Sequence, residues 1–202
     1  MSTSIFPRPI DWAEGRWTHE PAAVERRGDE LVVTAVEGSD AWLRTAYGFE
    51  HASEHGLIAP LPVGRAMEVE FTADFTEQFD QAGIFVRIDA ERWIKSGVEF
   101  CDGELGAGAV VTDRRSDWSV GAVPEWSGRR LVIRVSRGED AITVRGGVAG
   151  GAAGEAMRLL RLAPFDGAAD AAAGPLVAAP SRAGLTVVFH AWRMTAADAS
   201  IH

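Results

Sequence analysis

The stretch AMEVEFTADF (66–75) alternates apolar and polar side chains residue by residue, and this period of two narrows the fold more than any other feature. Met67, Val69, Phe71, Ala73 and Phe75 share one face, while Glu68, Glu70, Thr72 and Asp74 share the other. Only an extended strand sorts side chains this way. GIFVRID (83–89) repeats the pattern, with Ile84, Val86 and Ile88 against Phe85, Arg87 and Asp89. WIKSGVEF (93–100) sets Ile94, Val98 and Phe100 inward and Trp93, Lys95, Gly97 and Glu99 on the opposite face. RLVIRVS (130–136) opposes Leu131, Ile133 and Val135 to Val132, Arg134 and Ser136. Further candidate strands are 31–36, 40–46, 107–112, 141–147, 156–162 and 184–194. Turn-forming stretches such as VERRGDE, VSRGED and APFDG separate them at sandwich-like intervals. Only EAMRLLRL (155–162) reads equally as a helix, and it is too short to organise a domain. The Gly/Ala-rich GGVAGGAAGEA (146–156) reads as the cap of a hairpin, and DGAADAAAGP (166–175) reads the same way. The expectation is an all-β, antiparallel two-sheet sandwich of jelly-roll type.

At 202 residues, such a sandwich fits one domain spanning 1–202. Cys101 is the sole cysteine, so no intrachain disulfide forms, which suits a reducing cytoplasm. The N-terminal MSTSIFPRPIDW has no basic region followed by an apolar one, so no secretory signal is expected. No apolar run approaches the ~20 residues that span a bilayer, so a membrane is not an expected partner. Nucleic acid is not expected either, because the net charge is −9 and the arginines are scattered.

The cations raise a separate question. The chain carries 20 lysines and arginines, and Lys95 is its one lysine. An arginine is a planar, permanent fork, whereas a lysine is a compact point charge. Lys95 is therefore either an accident of codon usage or a place where a fork does not fit. Alternation sets it beside Trp93 and Glu99, an aromatic plate with an ammonium and a carboxylate. Such a group suits a sugar ring, which stacks on indole while its hydroxyls bond to the charges. The competing reading is a solvated face with a cross-strand ion pair worth about 0–1 kcal/mol. A second cluster, RRSDWS (114–119), offers Asp117 and Trp118, either as an Asx-type turn or as the rim of a groove. A third, SDAWLRTAYGF (39–49), places Trp42 and Arg44 on one strand face, followed by Tyr47.

Several enzyme signatures are missing. EFCDGE (99–104) lacks the acid spacing of a jelly-roll glycosidase, whose two carboxyls stand ~5–5.5 Å apart. Asp102 and Gly103 read instead as a hairpin turn. HASEH (51–55) lacks the placement of a zinc-binding HExxH helix, so no metal and no cofactor is expected. His190 reads as a satisfied sheet histidine, and Cys101 as structural.

The segments SDAWLRTAYGF, FDQAGIFVRID, WIKSGVEF, SDWS and APSRAGLTVVFHAW, in that order, resemble a family of bacterial and fungal domains of unknown function. That family includes the fungal "regulation of enolase" protein. The resemblance runs from about Trp17 to Met194 and implies a concanavalin A-like sandwich, similar to lectins and glucanases. The family pattern falls on Trp42, Arg44, Thr45, Tyr47, Gly48 and Phe49, then on Asp80, Gln81, Trp93, Lys95 and Glu99. It continues on Ser116, Asp117 and Trp118, and it departs at Ala41, where an aromatic is more usual. Some family members sit among genes for plant-polysaccharide degradation, which points to saccharides. Lys95 falls on the family motif W-x-K-x-G-x-E, which implies an ammonium bonded to Glu99, a ligand hydroxyl, or both.

The functional expectation is a saccharide-binding or saccharide-processing sandwich. Its ligand contacts are Trp42, Arg44, Tyr47, Gln81, Trp93, Lys95, Glu99, Asp117 and Trp118. An enzyme would use Glu99 or Asp117 as base and Lys95 as charge stabiliser. The alternative is a protein-interaction module using the same aromatic groove.

Overall fold

The computed structural model describes residues 7–150 and 157–200. The strands are, in order, β1 (Arg8–Pro9), β2 (Arg16–Trp17), β3 (Ala23–Arg27), β4 (Glu30–Thr34), β5 (Ala41–Leu43) and β6 (Glu50–Ala52). They continue as β7 (His55–Pro60), β8 (Arg65–Ala73), β9 (Gln81–Arg87), β10 (Arg92–Cys101), β11 (Glu104–Asp113) and β12 (Arg115–Ala122). The series closes with β13 (Leu131–Arg137), β14 (Ala141–Val148), β15 (Arg158–Pro164), β16 (Ala172–Ala178) and β17 (Thr186–Ala196). Among the described residues, helix is confined to the short 3-10 turns Trp12–Glu14 and Pro124–Trp126.

One sheet runs β15-β14-β13-β8-β17-β4-β3, with β1 added on β17. The other runs β12-β11-β10-β9-β16-β7-β2, and β5 and β6 form a separate hairpin. The strands pair antiparallel in both sheets. The all-β, two-sheet antiparallel sandwich read from the alternation is thus the observed architecture. Met67, Val69 and Phe71 of β8, with Leu131, Ile133 and Val135 of β13, meet Ile84, Val86, Ile94 and Val98 of the facing sheet in one buried cluster. Each such side chain contributes roughly 1.5–3 kcal/mol by leaving water. No helix among the described residues is long and apolar enough to cross a membrane.

The departures from the sequence reading have physical causes. DGAADAAAGP does not cap a hairpin: Ala172–Ala178 is β16, which lies between β9 and β7. This strand is covered on both faces and so shows no alternation. A Cβ on Gly174 would run into the Leu57 carbonyl and the Trp192 ring, so crowding imposes the small residues that resemble low complexity. HGLIAP (β7), unforeseen as a strand, is likewise largely buried. SDWS lies within β12 rather than in a positioning turn. In EAMRLLRL, residues from Arg158 onward form β15, while Glu155 and Ala156 lie outside the described residues. Residues 151–156 of the Gly/Ala-rich stretch are also outside them, but antiparallel β14 and β15 flank it as a hairpin requires. The 40–46 strand stops at Leu43, because Arg44 (φ 64°) and Ala46 (φ 62°) turn left-handed.

Candidate functional site

The two faces of β10 have different fates. Ile94 and Val98 enter the main core, whereas Trp93, Lys95, Gly97 and Glu99 lie on the outer face of the seven-stranded sheet. Register with the neighbouring strands builds three rungs there. Phe85, Lys95, Val110 and Trp118 form the first, Gly83, Gly97, Gly108 and Val120 the second, and Gln81, Glu99, Gly106 and Ala122 the third. A Cβ on Gly83, Gly97 or Gly108 would run into the backbone of the adjacent strand, so only bare peptide fits in the middle rung. The result is a trough between Lys95 and Glu99, whose backbones stand about 13 Å apart along the strand.

The β5–β6 hairpin lies against this face. Ala41 and Leu43 pack with Phe85, Trp93, Val110 and Leu176 in a second buried cluster. Ser116 fixes the hairpin: its Oγ accepts the Leu43 N–H at 2.9 Å and bonds the Thr112 hydroxyl at 2.9 Å. The left-handed residues Arg44 and Ala46 are each disfavoured by roughly 1–2 kcal/mol, and the tight loop they make raises Tyr47 and Phe49. Tyr47 stacks on Phe49 (centroids 5.3 Å apart, 6° between planes) and leans on Trp42 at 6.0 Å. Phe49 meets His51 edge-on at 4.7 Å. Together with Phe79 and Trp118 these rings wall a cleft of about 370 Å³ that also contains Asp40, Gln81, Lys95 and Glu99. Tyr47 is 66% exposed and Trp118 39% exposed.

The polar part of the cleft has a defined pairing. Lys95 Nζ donates to Asp40 Oδ1 at 2.5 Å, with side-chain exposures of 6% and 18%. The same oxygen accepts the Ala41 N–H at 2.7 Å and Gln81 Nε2 at 3.4 Å. Gln81 also donates to the Phe79 carbonyl at 3.2 Å. Glu99 has no comparable support: its Oε1 is buried and makes no hydrogen bond. Burial pushes the Glu99 carboxyl up to about 7, Lys95 offsets this in part, and Asp40 adds to it. Burial also pushes the Cys101 thiol up to about 11, helped by the carboxylates of Glu99 and Asp102, which leaves it a poor nucleophile. Among the described residues no group of His, Cys, Asp and Glu is arranged to hold a metal ion.

Of the residues expected from sequence, Trp42, Tyr47, Gln81, Lys95, Glu99 and Trp118 line the cleft. Three do not. Trp93 is 5% exposed and packs against Phe85 at 5.8 Å in the second cluster with Ala41 and Leu43, so it is covered and offers no stacking surface. Arg44 turns out of the strand and ties neighbouring loops together through Glu50 (2.5 Å), Glu91 (3.0 Å) and the Arg114 carbonyl (3.1 Å). Asp117, one residue out of phase with Trp118, pairs with Arg161 of β15. Of the partners expected for Lys95, a ligand hydroxyl stays open, but Glu99 is not bonded to it; Asp40 is. Asp40 lies 55 residues away in sequence, beyond the reach of any periodicity; a buried ammonium needs a carboxylate, but the sequence does not say which one. Phe49, His51, Phe79 and Pro180 complete the lining.

Other residues that sequence singled out are structural. His55 accepts the Val36 N–H at Nε2 (3.1 Å) and bonds the His19 carbonyl through Nδ1 (3.0 Å). His190 sits between Glu30 (2.7 Å) and Thr72 (2.9 Å). Asp80, fully buried, receives Arg182 at 2.7 Å and the N–H groups of Thr76 and Glu77 at 3.0 and 3.1 Å.

Comparison with known proteins gives this architecture a context. "Regulation of enolase protein 1" of Saccharomyces cerevisiae is 32% identical over 192 residues, covering 95% of this chain and 94% of its own. A crystal structure of a functionally unknown protein from Saccharomyces cerevisiae superposes with a TM-score of 0.85 at 30% identity, covering 93% of this chain and 98% of that one. The xylan β-1,4-xylosidase of Bacillus halodurans shares the fold alone, with a TM-score of 0.67 at 12% identity over 96% of this chain and 40% of its own. Residues 17–197 match the family described as protein of unknown function (DUF1349). The chain belongs to that family.

Proposed function

We propose that the cleft beside the β5–β6 hairpin binds a saccharide, and that the chain is a carbohydrate-binding or carbohydrate-processing β-sandwich protein. One observation carries this reading: the exposed rings of Tyr47, Phe49 and Trp118 and the half-buried ring of Trp42 surround a polar floor of Lys95, Asp40, Gln81 and Glu99. Sugars present apolar C–H faces that stack on such rings and hydroxyls that bond to such groups. On this reading the chain is one concanavalin A-like jelly-roll domain over residues 1–202, acts in the cytoplasm and carries its groove on the concave sheet. The name of the xylosidase that shares the fold agrees with a saccharide ligand.

A glycan array followed by calorimetry tests the proposal. Wild type should bind a subset of oligosaccharides, and Trp118→Ala, which removes an exposed ring, should weaken binding at least about tenfold without unfolding the protein. An empty array, or unchanged binding in the variant, would contradict it. If the bound glycan is also cleaved, Glu99 is the acid of choice, because its carboxyl keeps a proton up to about pH 7. Release of new reducing ends measures that step.

A second reading has a partner protein occupy the same rings. Their exposure and the regulatory name of the yeast relative support it. In that case the array stays empty, and Trp118→Ala abolishes a protein complex instead.

A further inference from the structure

Resting on the saccharide reading, we infer that Glu99 is a proton-bearing hydrogen-bond donor to the ligand, and that the cleft selects uncharged sugars over carboxylated ones. The inference starts from the geometry of the trough. Gly97 and Gly108 leave bare peptide between Lys95 and Glu99, a space of about 30 Å³ that admits a hydroxyl rather than a whole ring, while the adjoining cleft of about 370 Å³, which shares Gln81, Lys95, Glu99 and Trp118 with it, has room for the ring itself. At the end of that trough Glu99 Oε1 is buried with no protein partner. A buried carboxylate oxygen without a donor is costly, and the cost disappears if the group is neutral or if a ligand supplies the missing contact.

Lys95, the natural counter-ion, is already matched by Asp40 at 2.5 Å. The groups facing Glu99 complete the picture. Lys95 and Cys101 flank it on β10, Gln81 stands opposite on β9, Asp40 comes from the segment before β5, and His51 from β6. Gly106 on β11 offers no charge. Of these, only Lys95 favours an ionised Glu99, whereas burial and Asp40 oppose it, and the carboxyl lies at about 7. A protonated Glu99 donates one O–H, which a ring or hydroxyl oxygen of a sugar accepts. A carboxylated sugar would meet two acidic groups, no unmatched lysine and a chain of net charge −9.

Calorimetric titration with xylohexaose, cellohexaose and trigalacturonate at pH 6, 7 and 8 tests this. A neutral hexaose should bind at pH 6 and about tenfold more weakly at pH 8, as the protonated, binding-competent fraction shrinks. Trigalacturonate should bind at least about tenfold more weakly than the neutral hexaose throughout. Glu99→Gln keeps a donor at the same place, so it should retain binding and flatten the pH profile, which also separates Glu99 from His51. Carbon-13 NMR of the Glu99 carboxyl in wild type gives an independent reading: its midpoint should lie near 7 and rise when the hexaose is bound. If none of the three oligosaccharides binds, the saccharide reading falls and this inference with it. If trigalacturonate binds as tightly as the neutral sugars, if Glu99→Gln keeps the wild-type pH profile, or if the midpoint falls on binding, only the proton-donor inference is overturned.

Discussion

An ammonium held at 6% side-chain exposure needs a counter-charge, and Asp40 supplies it at 2.5 Å. The pair answers why this position holds a lysine: a point charge fits between Asp40 and the sheet, where a planar fork would need more room and more acceptors. Lys95→Met or Asp40→Asn should each cost about 3–5 kcal/mol, because each strands the other charge in a largely buried site. The double variant should lose much less than the sum, and urea denaturation of all four proteins checks it. Additive losses would mean the two charges do not depend on each other. Glu99 makes the opposite prediction with pH. Its carboxyl rises from the ordinary 4.5 to about 7 in the folded protein. Its neutral form therefore favours folding below pH 4.5, and that contribution drains away as pH climbs through 7. Glu99→Gln should match wild type at pH 4.5 and exceed it by up to roughly 3 kcal/mol at pH 8. Parallel stability curves would rule this out.

At the scale of strands, alternation announced only those elements with one wet face. β8 and β13 were legible because Glu68, Glu70 and Arg134 face away from a core built by Val69, Phe71 and Ile133. The β10–β11 turn was legible too, since Asp102 (φ 54°) and Gly103 (φ 89°) need the left-handed backbone that this dipeptide tolerates. β16 was not, because burial on both faces erased its period and crowding erased its large side chains. The same blindness affects the site. Trp93 was placed on the correct face, yet nothing in WIKSGVEF shows that Ala41 and Leu43 pack with it in a buried cluster. The glycine rung leads to a direct test. Gly97→Ala puts a methyl into the Ala82 carbonyl of β9, so it should destabilise by at least about 4 kcal/mol or leave the protein insoluble. Gly121→Ala, with open space around its Cβ, serves as the control and should fold. Equal stability of the two variants would mean that the rung is not the close approach described.

Taken as a whole, the molecule buries one face of its seven-stranded sheet against the other sheet and keeps the opposite face for the hairpin and the cleft. Tryptophans sample every part of this arrangement. Trp12, Trp126 and Trp192 belong to the main core, Trp17 packs at its edge, Trp93 lies in the second cluster, and Trp42 and Trp118 wall the cleft. The seven indole N–H groups therefore report where a ligand sits. The most direct test of a saccharide in this cleft is a proton–nitrogen NMR titration with the tightest oligosaccharide from the array. The indole signals of Trp42 and Trp118 should move and saturate with one dissociation constant, while those of Trp12, Trp126 and Trp192 stay in place. If Trp42 and Trp118 stay fixed while other signals respond, or if no indole moves at saturation, the cleft is not the saccharide site.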